Sequence, residues 1–336
     1  MTSLSQFLTE KGCVLADGAI GTNLFAKGLE TGDAPELWNC DQPDKISELL
    51  HEFIEAGADI LLTNSFGANR FRLALHQAET RVAELNAAAV RLAKEAAATS
   101  DRTILVAGDI GPTGELFAPL GALTKDDAIT AFTEQATALA EAGADLLWIE
   151  TMSSLEEVEA AILAAKSTGL PVLATMTFDT AGRTMMGITP ADFVAHTAAL
   201  HVEGVGANCG IGPAELLDSI LLMAEAKPSQ ILIAKGNCGI PSYVEGEIHY
   251  HGTPELMADY ALCARAAGAQ IIGGCCGTTP AHLAAMRDAL DHHDAAQVMS
   301  RDMIEAKIGK GWSNLPDNSA DSTPKRARSR RRSRGE

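Results

Sequence analysis

Short apolar runs recur along the chain, and amphipathic segments separate them. Eight runs are rich in Ile, Leu and Val and are apolar at nearly every position. That pattern is typical of strands that are buried on both faces of a parallel sheet. We predict these strands at residues 14–17, 60–63, 104–108, 146–150, 172–177, 204–207, 231–235 and 271–273.

The segments between the runs carry apolar residues at helical spacing, and proline opens three of them, as it often does at the first helical position. Eight strands that alternate with eight helices are the element count of a (β/α)8 TIM barrel. The helices are predicted at residues 46–54, 80–98, 128–142, 155–167, 190–200, 216–224, 254–267 and 280–291.

An internal repeat supports the barrel. Residues 55–66 (EAGADILLTNSF) and 141–151 (EAGADLLWIET) are near-copies, and residues 265–276 (RAAGAQIIGGCC) form a weaker third copy. Each reads as a helix end, a glycine C-cap and a strand, as equivalent units of a barrel would. The alternative is a doubly wound open sheet, but the segment DGAIGTN after the first strand lacks the GxGxxG spacing of a dinucleotide-binding loop.

Composition narrows the class of protein. The chain has 336 residues, 46% of them hydrophobic and 4% aromatic, which suits one large α/β domain. No apolar run reaches the roughly 18 residues of a membrane span, and the N-terminus does not resemble a signal peptide. Seven irregularly spaced cysteines do not suggest a secreted disulfide framework. We therefore expect a cytoplasmic protein with reduced thiols and no membrane partner.

Charge divides the chain into a body and a tail. Seven Lys/Arg and one Glu between Lys325 and Glu336 give that segment a net charge of +6. The net charge of the whole chain is −18, so the rest of the chain carries −24. An acidic body makes nucleic acid an unlikely main partner. We expect a barrel domain over residues 1–308 and a disordered linker and basic tail over residues 309–336, either a solvated appendage or an RNA- or partner-binding segment.

Three cysteines follow predicted strands that lie close together in a barrel. Cys209 ends the sixth strand, and Cys275 and Cys276 follow the eighth, so their thiols can converge at the carboxyl ends of the strands. Three thiolates suit a tetrahedral zinc ion whose fourth position is open, as in catalytic sites. Unliganded buried thiols are the alternative. Cys238 follows the seventh strand and is a competing ligand.

A zinc ion held by three thiolates carries a net charge of −1 and is a weak Lewis acid for water. Such a site suits the binding of a substrate thiol as a thiolate, although a free thiol has a pKa of roughly 8.5. A thiolate held in this way stays nucleophilic and can attack an electrophilic alkyl group. The sequence therefore points to alkyl transfer onto sulfur.

Six motifs follow one another along the chain: DGAIGTNL, EAGADILLTNSFGANRFRL, GDIGPTGEL, MTFDTAGRTMMG, GANCGIGPAEL and GGCCGTTP. Together and in this order they resemble the motifs of the family of homocysteine-binding zinc methyltransferases. The resemblance runs from about Val14 to Leu290. This family includes the homocysteine module of cobalamin-dependent methionine synthase, betaine–homocysteine methyltransferase and S-methylmethionine–homocysteine methyltransferase. The resemblance implies a TIM barrel, zinc ligands at Cys209, Cys275 and Cys276, and methyl transfer to homocysteine to give methionine.

The same resemblance, together with the chemistry of homocysteine, indicates further site residues. Asp17 and Glu150 match acidic residues that hold the substrate ammonium, although Asp17 before a glycine is also typical of a turn. The backbone N–H groups of Gly21 and Thr22 are expected to cradle the carboxylate. Asn237 is either an oxygen ligand of zinc before substrate binds or a turn residue.

The methyl donor is less clearly indicated. Few aromatic residues are available for the cage that a quaternary ammonium such as betaine needs, and Gly67 stands where the betaine enzymes carry an aromatic. The motifs look most like the methionine-synthase module, but no folate- or cobalamin-binding domain follows within this sequence. We therefore expect a stand-alone homocysteine module that receives its methyl group from methylcobalamin on a separate corrinoid protein. Betaine or S-methylmethionine is the alternative.

Two readings outside this chemistry remain. One is a non-catalytic sensor that binds zinc through its thiols. The other is a barrel aldolase or lyase, for which Lys235 at the end of the seventh strand is the candidate nucleophile. Asp109 either lines the mouth of the barrel or stabilises a loop.

Overall fold

The computed structural model describes residues 4–244, 247–292 and 299–312. Of the predicted linker and basic tail, residues 309–336, the part from residue 313 onward lies outside the described residues. The described chain contains ten strands: β1 Val14–Leu15, β2 Ile60–Leu62, β3 Leu105–Ile110, β4 Leu146–Met152, β5 Val172–Met176, β6 Gly204–Cys209, β7 Ile231–Gly236, β8 Pro241–Val244, β9 Glu247–Tyr250 and β10 Ile271–Gly274.

Helices cover the outside of the sheet, and two short 3-10 helices, Pro35–Leu37 and Glu79–Arg81, supplement them. No helix of the described chain is long and apolar enough to span a bilayer. The α-helices are α1 Leu4–Lys11, α2 Ile20–Ala26, α3 Trp38–Asp41, α4 Pro43–Glu55, α5 Arg70–Ala74, α6 Val82–Ala97, α7 Lys125–Glu141, α8 Leu155–Lys166, α9 Pro190–Leu200, α10 Pro213–Glu225, α11 Pro254–Ala266, α12 Pro280–Asp291 and α13 Arg301–Ile308.

Eight strands form one parallel sheet that closes on itself. Its order is β1-β10-β7-β6-β5-β4-β3-β2, and every pairing in it is parallel. A parallel bridge between Ala16 and Ile60 joins β1 to β2 and completes the circle. The prediction of a (β/α)8 barrel is confirmed, and the open doubly wound sheet is wrong because no edge separates β1 from β2.

The repeated segments explain how helices return to strands. In the three copies, Gly57, Gly143 and Gly268 have φ between +99° and +103°, a left-handed conformation that ends a helix at little cost only for glycine. The aspartates of the two closest copies each accept a backbone N–H from a neighbouring strand. Asp59 Oδ2 binds Leu15 N–H at 3.0 Å, and Asp145 Oδ2 binds Val106 N–H at 2.7 Å.

Two apolar layers bury the strands on both faces. The outer layer lies between strands and helices, and the inner layer fills the barrel with side chains such as Leu62, Trp148 and Ile233. Helix α1 was not predicted. Its Leu4, Phe7 and Leu8 belong to the inner layer, so α1 covers the amino-terminal end of the barrel and leaves the carboxyl end for chemistry.

Candidate active site

The carboxyl ends of the strands surround a cavity of about 330 Å³. Its wall combines the three thiols of Cys209, Cys275 and Cys276 with the charged side chains of Glu150 and Lys235. All five lie at or just beyond the last residues of β4, β6, β7 and β10, because parallel strands end at the same rim of a barrel. A cavity in this place with convergent polar groups is the expected position for an active site.

The sulfur atoms of the three thiols lie close together. Cys209 Sγ is 3.0 Å from Cys275 Sγ and 3.6 Å from Cys276 Sγ, and all three sulfur atoms lie within 4.8 Å of one another. Cys209 has φ +59°, a conformation that is uncommon outside glycine and that turns its side chain out of the strand's alternation. Cys275 and Cys276 reach the same point because the chain bends between β10 and α12.

Backbone contacts hold the two cysteine-bearing loops together. Cys275 donates its N–H to Gly236 O at 2.6 Å, and Cys238 donates its N–H to Cys276 O at 2.9 Å. Thr279 is the N-cap of α12, and its N–H is accepted by His282 Nδ1 at 3.2 Å. The loop after β10 is therefore fixed at both ends.

Hydrogen bonds among the three thiols give them different pKa values. Hydrogen bonds from Cys209 and Cys275 hold the pKa of the Cys276 thiol well below its usual range, and the Tyr250 hydroxyl adds to this effect. The pKa of Cys209 is raised well above its usual value, first because it shares hydrogen bonds with Cys275 and then with Cys276. A soft donor set with one readily ionised thiol fits a zinc ion.

Cys238 and Asn237 differ in their relation to the thiols. Cys238 is fully buried outside the three-thiol group, and burial alone raises its pKa to about 11. Asn237 Nδ2 donates to Gly210 O at 2.7 Å, just beyond Cys209, while its buried Oδ1 has no hydrogen-bond partner within the described chain. An orphaned oxygen at this point is compatible with a metal ligand, whereas Cys238 is not a member of the cluster.

Glu150 and Lys235 form a buried ion pair across the barrel. Lys235 Nζ lies 3.8 Å from Glu150 Oε2, and both side chains are almost completely buried. Burial raises the pKa of Glu150 to about 7, against the lowering effect of Lys235. Burial lowers the pKa of Lys235, but Glu150 and then Cys275 raise it by more, so the ammonium is protonated. A protonated amine lacks the lone pair of a Schiff-base nucleophile, which argues against the aldolase or lyase reading.

Two further carboxyl groups lie in the same region. Asp109 lines the cavity, and its Oδ1 is buried without a hydrogen-bond partner among the described residues. Asp17 is fully buried behind the wall, where Oδ2 accepts Leu62 N–H at 2.8 Å and Oδ1 has no described partner. Burial raises the pKa of Asp17 to about 7. Burial also raises the pKa of Asp109, and Glu150 raises it further.

Gly21 and Thr22 lie in the first turn of α2 and line the cavity. First-turn N–H groups have no partner inside a helix, so they can face a carboxylate. Thr22 Oγ1 accepts Gly277 N–H at 3.2 Å, which joins this helix to the loop that bears Cys275 and Cys276.

Sequence reasoning missed two supports of the site. Tyr250, at the end of the β8–β9 hairpin, is hydrogen-bonded to Cys276, and only the long segment between β7 and α11 hinted at an element there. The other support is the pair Thr151 and Asn208, in which Asn208 Oδ1 accepts Thr151 N–H at 2.8 Å and Nδ2 donates to Thr151 Oγ1 at 2.7 Å. Their positions next to Glu150 and Cys209 were the one available signal.

A closed (β/α)8 barrel with three clustered thiols and buried carboxyl groups at its carboxyl rim defines a barrel enzyme with a candidate sulfur-liganded metal centre. The family model described as homocysteine S-methyltransferase matches residues 14–290. The chain therefore belongs to the homocysteine S-methyltransferase family, and the predicted resemblance is confirmed. The expectation of an S-methyltransferase is confirmed by the same match.

Individual relatives agree with this family. Over 299 residues the chain is 30% identical to methionine synthase of Mycobacterium tuberculosis, a match that covers 84% of this chain and 25% of that protein. Methionine synthase of Mycobacterium leprae is 29% identical to the chain over 299 residues, and this match covers 84% of the chain and 24% of that protein. The chain thus spans about a quarter of the length of these curated relatives.

A solved structure matches over nearly its whole length. The metallated form of the homocysteine methyltransferase MmuM from Escherichia coli has a TM-score of 0.72 and 27% identity, and the match covers 85% of this chain and 99% of that one. The two chains therefore share the barrel fold.

Proposed function

We propose that this chain transfers a methyl group to the sulfur of homocysteine and so forms methionine. The observation that carries the proposal is the cluster of Cys209, Cys275 and Cys276 in the wall of a cavity that also presents Glu150 and Lys235. A thiol substrate needs soft groups near its sulfur and charged groups near its amino-acid head, and this cavity offers both. Family membership supports the same reaction.

The three cysteines are proposed to hold a zinc ion. Their sulfur atoms lie within 4.8 Å of one another, and three protein ligands leave one position of a tetrahedral set for substrate. When bound, zinc supplies a position at which a substrate thiol is held deprotonated near neutral pH. The match to a metallated homologue supports this assignment.

Carboxyl groups of the chain bind the substrate ammonium in this proposal. Glu150 faces the cavity, and its Oε2 lacks a hydrogen-bond partner among the described residues. A buried carboxyl without a donor favours a ligand that brings one, and an ammonium has three N–H donors. Asp17 supports Glu150 from behind the wall, because a second carboxyl group makes the local potential more favourable for a cation.

The backbone N–H groups of Gly21 and Thr22 are proposed to bind the substrate carboxylate. They belong to the first turn of α2, where the partial positive charge of the helix favours an anion. The bond between Thr22 and Gly277 keeps this turn close to the loop that carries two of the three thiols. Substrate head and substrate sulfur would then be fixed by connected parts of the chain, which orients the sulfur for in-line attack.

A protein-borne methyl donor is our preferred second substrate. Exposed large apolar side chains lie on the segments that follow five of the barrel strands, β1, β2, β3, β5 and β7, at the carboxyl end of the barrel. Apolar groups around an active-site mouth favour docking of a protein surface. We propose a separate corrinoid protein that presents methylcobalamin to this face. The exposed side chains are Phe25, Leu75, Leu116, Leu120, Met185, Met186 and Ile240.

A small cationic donor is the second candidate. The outer wall of the cavity carries the carboxyl groups of Asp33 and Glu36 and the aromatic rings of Phe25 and Phe66. Acidic and aromatic groups together favour a methylated sulfonium or ammonium compound. S-methylmethionine and betaine are the two donors of this kind to test.

Methionine formation from homocysteine, assayed in parallel with four donors, tests the proposal. The donors are betaine, S-methylmethionine, free methylcobalamin and methylcobalamin bound to a corrinoid protein. We expect turnover that needs homocysteine and is fastest with the protein-bound donor. Turnover with a small onium donor alone would replace the corrinoid proposal, and zinc binding without methionine from any donor would leave a zinc-thiol sensor.

A further inference from the structure

Lys235 is a buried cation that faces the substrate cavity. It lies near the end of β7, is 3% exposed, and belongs to the cavity wall. Lysine is almost never buried to this extent unless its charge is paired. Its position therefore calls for a specific anionic partner.

The partner present in the structure is only partly adequate. Glu150 Oε2 lies 3.8 Å from Lys235 Nζ, beyond ordinary hydrogen-bond distance. Within the described residues, Nζ has no hydrogen-bond acceptor closer than this. An ammonium carries three N–H donors, and buried donors without acceptors are unfavourable. Lys235 thus retains binding capacity that points to an acceptor brought in by a ligand.

Nearby carboxyl groups keep Lys235 positively charged. The carboxyl groups of Glu150, Asp17 and Asp109 all lie close enough to stabilise the ammonium electrostatically. The same three carboxyl groups favour the binding of a second cation in the cavity. They disfavour a ligand that carries only negative charge, except beside Lys235. A ligand that carries both signs of charge is the best match.

We propose that Lys235 binds the carboxylate of the substrate, while Glu150 takes the ammonium of the same molecule. This role rests on the proposed function. An α-amino acid carries its ammonium and its carboxylate on one carbon atom, so the two charges are separated by about the spacing of a close ion pair. The pair Lys235 and Glu150 presents the opposite charges at 3.8 Å.

This arrangement makes Lys235 a specificity-determining residue. A thiol without a carboxylate brings no acceptor for the Lys235 ammonium, and a buried polar group that lacks its hydrogen-bond partner gives strong discrimination. The cavity would therefore select amino-acid thiols over simple amine thiols.

Calorimetric binding to the purified protein, with one equivalent of added zinc, tests the role. The ligands are homocysteine and homocysteamine, which lacks the carboxylate. We expect the wild-type protein to bind homocysteine more tightly, and Lys235→Gln to lose about 10- to 100-fold in homocysteine affinity with little change for homocysteamine. Lys235→Arg keeps the charge and should retain part of the preference. Lys94→Met is the matched control, because Lys94 pairs with Asp145 far from the cavity.

Each outcome bears on the proposal. Equal wild-type affinity for the two ligands would overturn it without any variant, so poor folding of Lys235→Gln does not block the test. Equal losses for both ligands in Lys235→Gln would also overturn it, because Lys235 would then act on a group that the two ligands share and not on the carboxylate. Failure of the wild-type protein to bind homocysteine at all would instead refute the proposed function.

Discussion

The side-chain amide of Asn208 makes two hydrogen bonds with Thr151. Asn208 Oδ1 accepts the Thr151 N–H at 2.8 Å, and Asn208 Nδ2 donates to Thr151 Oγ1 at 2.7 Å. Thr151 has φ +65°, which is an unfavourable conformation for a β-branched residue. It directly follows Glu150, and Asn208 directly precedes Cys209. One amide therefore stabilises a strained backbone and links the carboxyl side of the cavity to its sulfur side.

Replacing this amide should impair catalysis as well as stability. We expect Asn208→Ala to lower the free energy of unfolding by about 1–3 kcal/mol, because two hydrogen bonds are lost and one backbone donor is left buried. It should also lower kcat/KM at least about tenfold, since Glu150 and Cys209 lose their fixed relation. Chemical denaturation and steady-state kinetics measure the two effects.

Asn86→Ala is the matched control for this prediction. Asn86 is also fully buried, and its amide donates to Ala68 O and Val82 O, neither of which belongs to a residue that lines the cavity. It should lose stability but keep kcat/KM. Equal kinetic effects in the two variants would mean that Asn208 acts through general stability alone.

The Tyr250 hydroxyl should strengthen metal binding through Cys276. Its hydrogen bond favours the thiolate, and partners of metal ligands commonly contribute about 10- to 100-fold to metal affinity. We expect Tyr250→Phe to release zinc to a chelator at about tenfold lower chelator concentration, with an unchanged thermal unfolding midpoint for the metal-free protein. Unaltered competition would show that the hydroxyl does not act on the cluster.

Burial of Asp17 should make stability depend on pH. Its pKa rises from 3.8 to about 7 on folding, so the folded protein holds this proton more tightly than the unfolded chain does. Unfolding then releases a proton between those two values, and the contribution of Asp17 to stability falls as pH rises through this window. Above the window, the wild-type protein must keep an ionised carboxylate buried.

Asp17→Asn removes that charge and keeps an oxygen that can accept Leu62 N–H. The free energy of unfolding of the variant, relative to wild type, should therefore increase between about pH 4 and about pH 7. Urea denaturation at several pH values measures the difference. A difference that stays flat or decreases over this range would contradict a raised pKa.

The barrel could be predicted because short segments of the sequence determine its strands and its helix ends. Each strand is an apolar run buried on both faces, and the helix ends at Gly57, Gly143 and Gly268 recur in near-identical segments. Helix α1 was missed because it is short and its burial depends on covering the barrel end. The β8–β9 hairpin was missed because it lies between barrel strands as an insertion, where strand counting gives no signal.

The site could be predicted only where the order of the strands in the barrel brings residues together. Cys209, Cys275 and Cys276 follow strands that are close neighbours in a barrel, so their convergence follows from topology. The ion pair of Lys235 and Glu150 joins β7 to β4 across the barrel, and side chains that meet across its interior leave no spacing pattern in the sequence. The exclusion of Cys238 from the cluster likewise depends on side-chain direction.

The central claim is that Cys209, Cys275 and Cys276 hold the metal on which homocysteine methylation depends. The most direct measurement determines zinc content and methionine formation on the same preparations of wild type, Cys209→Ser and Cys238→Ser. We predict about one equivalent of zinc and full turnover for wild type and Cys238→Ser, and loss of both for Cys209→Ser. Retention of zinc and turnover by Cys209→Ser would contradict the account.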